Sequence, residues 1–161
     1  MPNSDVRVGL VSDTHGLLRP EVLAALEGCD LIVHAGDIGD SSILDVLSKI
    51  APTTAVRGNN DKGPWAMLVP EIEIVEAGSV LIYVIHDIAE INLDPAAAGF
   101  RVVVSGHSHK PTIEWRDDVL FINPGSAGPR RFKLPVSVAT LTISGSAIAP
   151  RIIELNVESN A

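Results

Sequence analysis

Apolar residues in this chain come in short β-branched runs, and run after run stops at the same kind of place. Val6 to Val11 gives way to Ser12-Asp13-Thr14-His15-Gly16, and Asp30 to Ala35 runs into Gly36-Asp37-Ile38-Gly39-Asp40. Thr53 to Val56 is followed by Arg57-Gly58-Asn59-Asn60-Asp61. Such runs read as buried strands. Between them lie two helical stretches. The first is Pro20 to Glu27, with a stripe of Val22, Leu23 and Leu26 and a closing Gly28. The second is Ile43 to Ile50, before which Ser42 and Asp45 have the spacing of a capping box. Strand, helix, strand, helix, strand predicts an α/β chain with a parallel sheet and crossover helices. The polar residues then fall at strand ends, where α/β proteins place their chemistry.

The later chain continues the pattern. Glu71 to Glu76 and Ser79 to Ile85 read as adjacent strands around Ala77-Gly78, the second ending at His86-Asp87. Asp94-Pro95 predicts a short helix through Ala98, closed by Gly99. Arg101 to Val104 is a further strand, ending in Ser105-Gly106-His107-Ser108-His109. Thr112 to Trp115 and Val119 to Ile122 flank a polar turn, and Val136 to Ile143 with Ile148 to Val157 predicts a late hairpin. These late strands are expected to form or extend a second sheet. With no linker or internal repeat, residues 1–161 read as one domain, long enough to bury roughly two thirds of its unfolded surface.

Six aromatic residues in a chain that is 46% hydrophobic predict an aliphatic core. A net charge of -8 disfavours nucleic acid or an anionic membrane as the default partner, although a metal site can reverse the sign locally. Cys29 is the one cysteine and is expected to be a small buried residue. Met1-Pro2-Asn3-Ser4-Asp5 lacks the basic and apolar regions of a signal peptide, and no apolar stretch reaches spanning length. The expectation is a cytoplasmic protein.

Of five histidines, His15, His86, His107 and His109 stand at strand tips. His34 lies inside a strand just before a tip and is expected to be structural or to support the donors from behind. Together with Asp13, Asp37 and Asn59, the four make seven oxygen and nitrogen donors. Such a set suits Mn²⁺, Fe²⁺, Zn²⁺, Co²⁺ or Ni²⁺ better than a soft metal. Seven donors overfill one four-coordinate ion. If one carboxylate is shared, they supply four to each of two ions, the arrangement of two-metal hydrolases. Asp13 and His15, two residues apart, would project the same way from an extended tip.

The ordered set Asp13-x-His15, Gly36-Asp37, Gly58-Asn59-x-Asp61, His86 and Gly106-His107-x-His109 resembles the calcineurin-like metallophosphoesterase superfamily. Val56-Arg57-Gly58-Asn59 and Asn123-Pro124-Gly125-Ser126 resemble its small bacterial and archaeal phosphodiesterase branch, which also contains the retromer subunit fold. The resemblance runs from residue 6 to about residue 131. It implies a four-layer α/β/β/α sandwich and two divalent ions, Mn²⁺ foremost, with Ni²⁺, Zn²⁺, Fe²⁺ or Co²⁺ compatible. Asp13, His15, Asp37 and His109 would hold the first ion, and Asp37, Asn59, His86 and His107 the second. The implied activity is hydrolysis of a small phosphoester, phosphodiesters above monoesters, by a metal-bridging hydroxide. Asp37, Asn59, His86 and Arg130 are the implied catalytic residues. A homo-oligomer is the base expectation. The resemblance carries a second implication, a non-catalytic scaffold of the retromer-subunit type, against which the seven intact donors count.

Two departures stand out. Asn60 occupies a position where larger relatives have a histidine assigned as general acid, and His86-Asp87 replaces a His-Gly-His run of many small relatives. Asp87 is expected to orient His86, Asp40 and Asp61 to cap or brace loops, and Asn123 and Ser126 to shape the site wall as turn formers. Arg130 could reach a substrate oxygen or remain a solvated surface arginine. Trp65 and Trp115 could edge the pocket or serve loop anchoring and sheet packing.

Overall fold

Twin sheets stand face to face in the computed structural model, which describes residues 5–131 and 133–157. In the first, β1 (Val6–Val11), β2 (Leu31–His34) and β3 (Thr53–Ala55) are parallel neighbours, joined by α1 (Pro20–Leu26) and α2 (Ser41–Ser48). The second contains β4 (Ile72–Ala77), β5 (Val80–Ile85), β6 (Val102–Val104), β7 (Thr112–Arg116) and β8 (Val119–Asn123), in the order β4-β5-β6-β8-β7. Here β5, β6 and β8 run parallel, and the two outer strands are antiparallel to their neighbours.

The late hairpin corrects the sequence expectation. β9 (Ser137–Ser144) and β10 (Ala147–Glu154) return to the first sheet, giving the order β10-β9-β1-β2-β3. The reason lies in β1, whose last four residues are buried. A strand covered on both faces cannot leave one edge of its backbone unpaired. β9 supplies the missing partner, antiparallel along Val6 to Leu10, and is itself buried from Ser137 to Leu141.

β6 shows how the period of a strand divides the layers. Val102 and Val104 face the core between the sheets, with Val8, Leu10, Val33, Ile82 and Leu120, while Val103 faces outward with Tyr83 and Phe100. The buried set between the sheets is aliphatic throughout. Val22, Leu26, Ile43 and Leu47 bring α1 and α2 onto the outer face of the first sheet, with Trp65 packed against that cluster as a loop anchor. Trp115 is 47% exposed on β7, and Cys29 is buried. Asp40, rather than Ser42, caps α2: its carboxylate accepts from the Ser42 amide at 2.9 Å and the helix begins at Ser41.

The fourth layer is thin. Asp94 accepts from the Ala96 and Ala97 amides as a cap would, yet the chain closes a single turn, with the Phe100 amide donating to Pro95 O. The few residues before Gly99 give a helical nucleus nothing to propagate into. That turn and a 3₁₀ turn at Ile88–Glu90 cover the second sheet, completing a sandwich of two mixed sheets with helical elements outside. No described helix is long and apolar enough to cross a membrane.

The C-terminal ends of the parallel strands from both sheets meet at one edge of the sandwich. Asp13 N donates to Gly36 O, Gly106 N to His86 O, and the His86 ring nitrogen Nδ1 pairs with Ala35 O at 2.7 Å.

Candidate metal centre

Five of the seven predicted donors sit on left-handed backbone. Asp13, His15, Asp37, His107 and His109 have φ between 47° and 71°. Among the described residues the other non-glycine cases are Asp117 and Asp118, in the turn between β7 and β8. Left-handed backbone is unfavourable for L-residues but least so for Asp, Asn and His, and it clusters at functional sites. Asp13 and His15 therefore do converge, but by curling out of the strand rather than by continuing it. His15 N donates to Asp37 O and Gly16 N to Ile38 O, so the first two tips are laced together. Two glycines permit the closeness. A Cβ on Gly36 would stand 2.6 Å from His86 Nδ1, and one on Gly58 would collide with the Asp37 carboxylate.

The donors form two adjacent groups. Asp13, His15 and His109 offer ligand atoms within 4.8 Å of one another, and Asp37, His86 and His107 do the same. The groups share a border: Asp37 Oδ2 lies 3.3 Å from His86 Nε2 and 3.7 Å from His15 Nε2. Asn59 Oδ1 lies 3.1 Å from His86 Nε2. All seven predicted donors are thus in one place. Arg130 is exposed beyond Gly128, outside the walls of the cavity described below.

Among the described residues, three buried atoms in the first group have no hydrogen-bond partner: Asp13 Oδ1, His15 Nε2 and His109 Nδ1. A buried carboxylate oxygen or imidazole nitrogen left unpaired is costly, on the order of 1–3 kcal/mol or more. A divalent cation satisfies Asp13 Oδ1 and His15 Nε2 at once, with His109 Nε2 3.4 Å from that oxygen, and the oxygen and nitrogen donors match a hard or borderline ion. The residues present therefore fit a pair of metal ions.

Neighbouring groups hold the donors in place. Asp13 Oδ2 accepts from Ser12 Oγ at 2.7 Å and from the His107 amide at 3.1 Å, which leaves Oδ1 as its open oxygen. Asn60 clamps Asp37 twice, its amide to Oδ1 at 2.9 Å and its Nδ2 to Oδ2 at 3.0 Å. Asp61 braces two loops by accepting from Gly39 N and Gly58 N. His34 is structural, as expected, and fully buried. Its Nδ1 accepts from Gly36 N, so its Nε2 carries the proton and donates to Thr14 Oγ1, which donates onward to Ile38 O. Asp87 departs from expectation: Ala35 O orients His86, whereas Asp87 accepts from Ala89 N and lies 3.8 Å from His107 Nε2. The strand end at His86 points its ring across to the first sheet, out of reach of its own neighbour.

Asn123 and Ser126 shape the wall. Asn123 Nδ2 donates to Gly106 O, and Ser126 Oγ to Asp13 O. Sequence reasoning missed Ser12, Thr14 and Arg19. Arg19, 4% exposed, donates to Gly128 O from the far end of the first loop. No local pattern marks a partner so distant in sequence.

Electrostatics reinforce the geometry. Burial favours the neutral acid at Asp13 and Asp37, but the adjacent His109 ring and the Ser12 bond at the first, and the adjacent His86 ring and the Asn60 bonds at the second, hold both carboxyls below the usual range. Burial pushes the His86 pKa down, yet Asp37 and Ala35 O leave it raised. Burial drives His34 down to about 4. At neutral pH the centre is a pair of ionised carboxylates among imidazoles. It opens into a cavity of about 520 Å³, where Asn59, His86 and His107 face Arg57, Glu71 and Ile72.

The chain is similar to known metallophosphoesterases. A probable metallophosphoesterase of Methanocaldococcus jannaschii is 36% identical over 132 residues, 74% of this chain and 67% of that protein. A probable metallophosphoesterase of Methanothermobacter thermautotrophicus is 34% identical over 158 residues, 91% of each. The solved structure of vacuolar protein sorting 29 from Cryptosporidium parvum shares the fold at a TM-score of 0.81 and 19% identity, over 96% of this chain and 93% of that one. The model of the calcineurin-like phosphoesterase superfamily domain matches residues 6–146, from the start of β1 to the turn before β10, and the chain belongs to that family.

Proposed function

We propose that this centre hydrolyses phosphoesters with two divalent metal ions, and that small phosphodiesters are its preferred substrates. The carrying observation is the buried, unpartnered Asp13 Oδ1 and His15 Nε2 beside a second donor group. Asp13, His15, Asp37 and His109 would hold one ion, and Asp37, Asn59, His86 and His107 the other, with Mn²⁺ the proposed occupant of both. Bound there, the ions supply an acidified water and polarise phosphoryl oxygens.

The chain's own residues set the rest. Asp37 stands at the border of the two groups and is fixed there by Asn60. An amide cannot protonate a leaving oxygen at neutral pH, so esters with a low leaving-group pKa are the better substrates. Asp87 and Glu90, on the cavity wall, disfavour the dianion of a monoester more than the monoanion of a diester. Arg130 is the proposed cation for a substrate oxygen outside the cavity.

The test is a Mn²⁺-loaded preparation assayed with bis-(4-nitrophenyl) phosphate and 4-nitrophenyl phosphate. The diester should lead by about tenfold or more in kcat/KM, a difference of roughly 1.4 kcal/mol, and a chelator should abolish both activities. Absence of turnover, or a preference for the monoester, would overturn the proposal.

A further inference from the structure

Four strands end the two sheets, β10 and β3 in the first, β4 and β7 in the second. Three of these edges are blunted: β3 and β4 pass close to one another, and Pro150 removes a donor from the middle of β10. β7 has neither protection. All five of its residues, Thr112–Arg116, are exposed, and among the described residues β8 is its one strand neighbour.

The adjoining turn fixes what this edge offers. Asp117 and Asp118 have φ of 50° and 63°, the backbone of a two-residue type I′ hairpin, so Arg116 and Val119 beside it form a hydrogen-bonded pair. Hydrogen-bonded and open pairs alternate along an antiparallel ladder. Thr112, Glu114 and Arg116 therefore turn their backbone N–H and C=O groups to β8, and Ile113 and Trp115 turn theirs outward. The side chains divide in the same way. Ile113 and Trp115 stand opposite Ile122 and Leu120 of the core between the sheets, yet they are 41% and 47% exposed at its rim. Thr112, Glu114 and Arg116 line a cavity of about 220 Å³ on the other face, which also reaches Asp87 and the donor His107.

We infer that β7 pairs antiparallel with β7 of a second copy of this chain, about a two-fold axis through Glu114, so that two five-stranded sheets become one continuous sheet. The segment Thr112-Ile113-Glu114-Trp115-Arg116 is self-complementary in that register. Ile113 meets the partner's Trp115, and Trp115 meets the partner's Ile113. These are the residues with outward backbone groups, so each pair exchanges both N–H···O bonds while a β-branched side chain packs on an aromatic one. Glu114 faces the partner's Glu114, a like-charge contact that weakens the pairing. Arg116 offsets it. Its Nη2 lies 2.9 Å from Glu114 Oε2 and its guanidinium is held 4.4 Å over the Phe121 ring, so a cation flanks the acid pair on either side of the axis. Thr112 lies opposite the partner's Arg116, which brings that cation to the rim of the cavity beside His107. A register centred on Trp115 is shorter, because it sets Ile113 against the partner's Asp117, which has left the strand.

Sedimentation of the metal-free and the Mn²⁺-loaded protein from about 1 to 100 µM, the range of a small interface, should show monomer in equilibrium with dimer in both. Ile113→Lys should raise the dissociation constant by about tenfold or more. Cross-linking reads the register. Glu114→Cys puts its two sulfurs across the axis in an open pair, with Cα atoms about 4.5 Å apart and within disulfide range, so mild oxidation should give a covalent dimer. Arg116→Cys, opposite the partner's Thr112, should give none, and the native Cys29 is buried. Monomer throughout the range, an equilibrium unmoved by Ile113→Lys, or a cross-link through Trp115→Cys in place of Glu114→Cys overturns the inference. If Ile113→Lys fails to fold, the Glu114→Cys cross-link decides alone, and neither measurement depends on turnover.

Discussion

The two donor groups share a border but are built on different terms. In the Asp13, His15 and His109 group, Asp13 is fully buried and three polar atoms are unpartnered. In the Asp37, His86 and His107 group the protein has already supplied bonds: Asn60 takes both Asp37 oxygens, Ala35 O takes Nδ1 of His86, and His107 has a side chain 45% exposed to the cavity. The first group is unsatisfied without an ion. The second can be satisfied by the protein and by water. An ion in the first group gains the full relief of desolvated ligands, whereas one in the second must displace existing bonds. The first position should therefore hold its ion more tightly, and the second should exchange.

Removing the open carboxylate breaks this contrast most severely. Asp13→Gly keeps the left-handed backbone and should lower activity and first-site metal content by at least about a hundredfold, above what loss of an outer partner costs. Metal analysis after gel filtration, with a kcat/KM measurement, checks it. Full occupancy in an active Asp13→Gly protein would end the assignment.

Acid gives the next largest effect, through the residue behind both tips. The folded protein keeps His34 neutral down to about pH 4, whereas the unfolded chain protonates it near 6.5. The unfolded state thus binds the extra proton in that window. Stability is full above pH 6.5 and falls toward pH 4, by roughly 3 kcal/mol from this group. Urea titrations of the metal-free protein at pH 7 and pH 4.5 should show the loss, and His34→Gln should reduce it. An equal pH slope in His34→Gln would place the acid sensitivity elsewhere.

Ser12→Ala releases Asp13 Oδ2 and should weaken the first site by about tenfold, with the second little changed. Asn60→Ala should weaken restraint on Asp37 and give the smallest effect, about threefold to tenfold on the second site. Calorimetric Mn²⁺ titrations resolve the two steps. If both substitutions changed both sites equally, the two groups would be one cooperative unit.

What the sequence made legible is the set of donors, because each lies at a strand tip where polar residues interrupt apolar runs. The pairing of Asp13 with His109 also followed, since the motifs occur in a recognisable order. The backbone at those tips was not legible. Spacing by two suggested an extended projection for Asp13 and His15, and only the lacing of His15 to Asp37 O and Gly16 to Ile38 O reveals the curl. Tertiary choices were equally hidden: β9 reads as a strand locally, but its place beside β1 depends on an unpaired edge formed more than a hundred residues earlier. Asp87 was assigned to His86 by adjacency, and a strand end separates neighbours into different surroundings.

The left-handed donors bear on how such a centre changes over generations. Asp, Asn, His and Gly are the residues that tolerate this backbone, and two of the four are strong ligands while two are weak or none. Asp13, His15, Asp37, His107 and His109 can therefore drift among these types at small conformational cost. A lineage can lose its ions one position at a time while the aliphatic sandwich beneath stays folded. The route from enzyme to docking platform is downhill in chemistry and nearly level in stability.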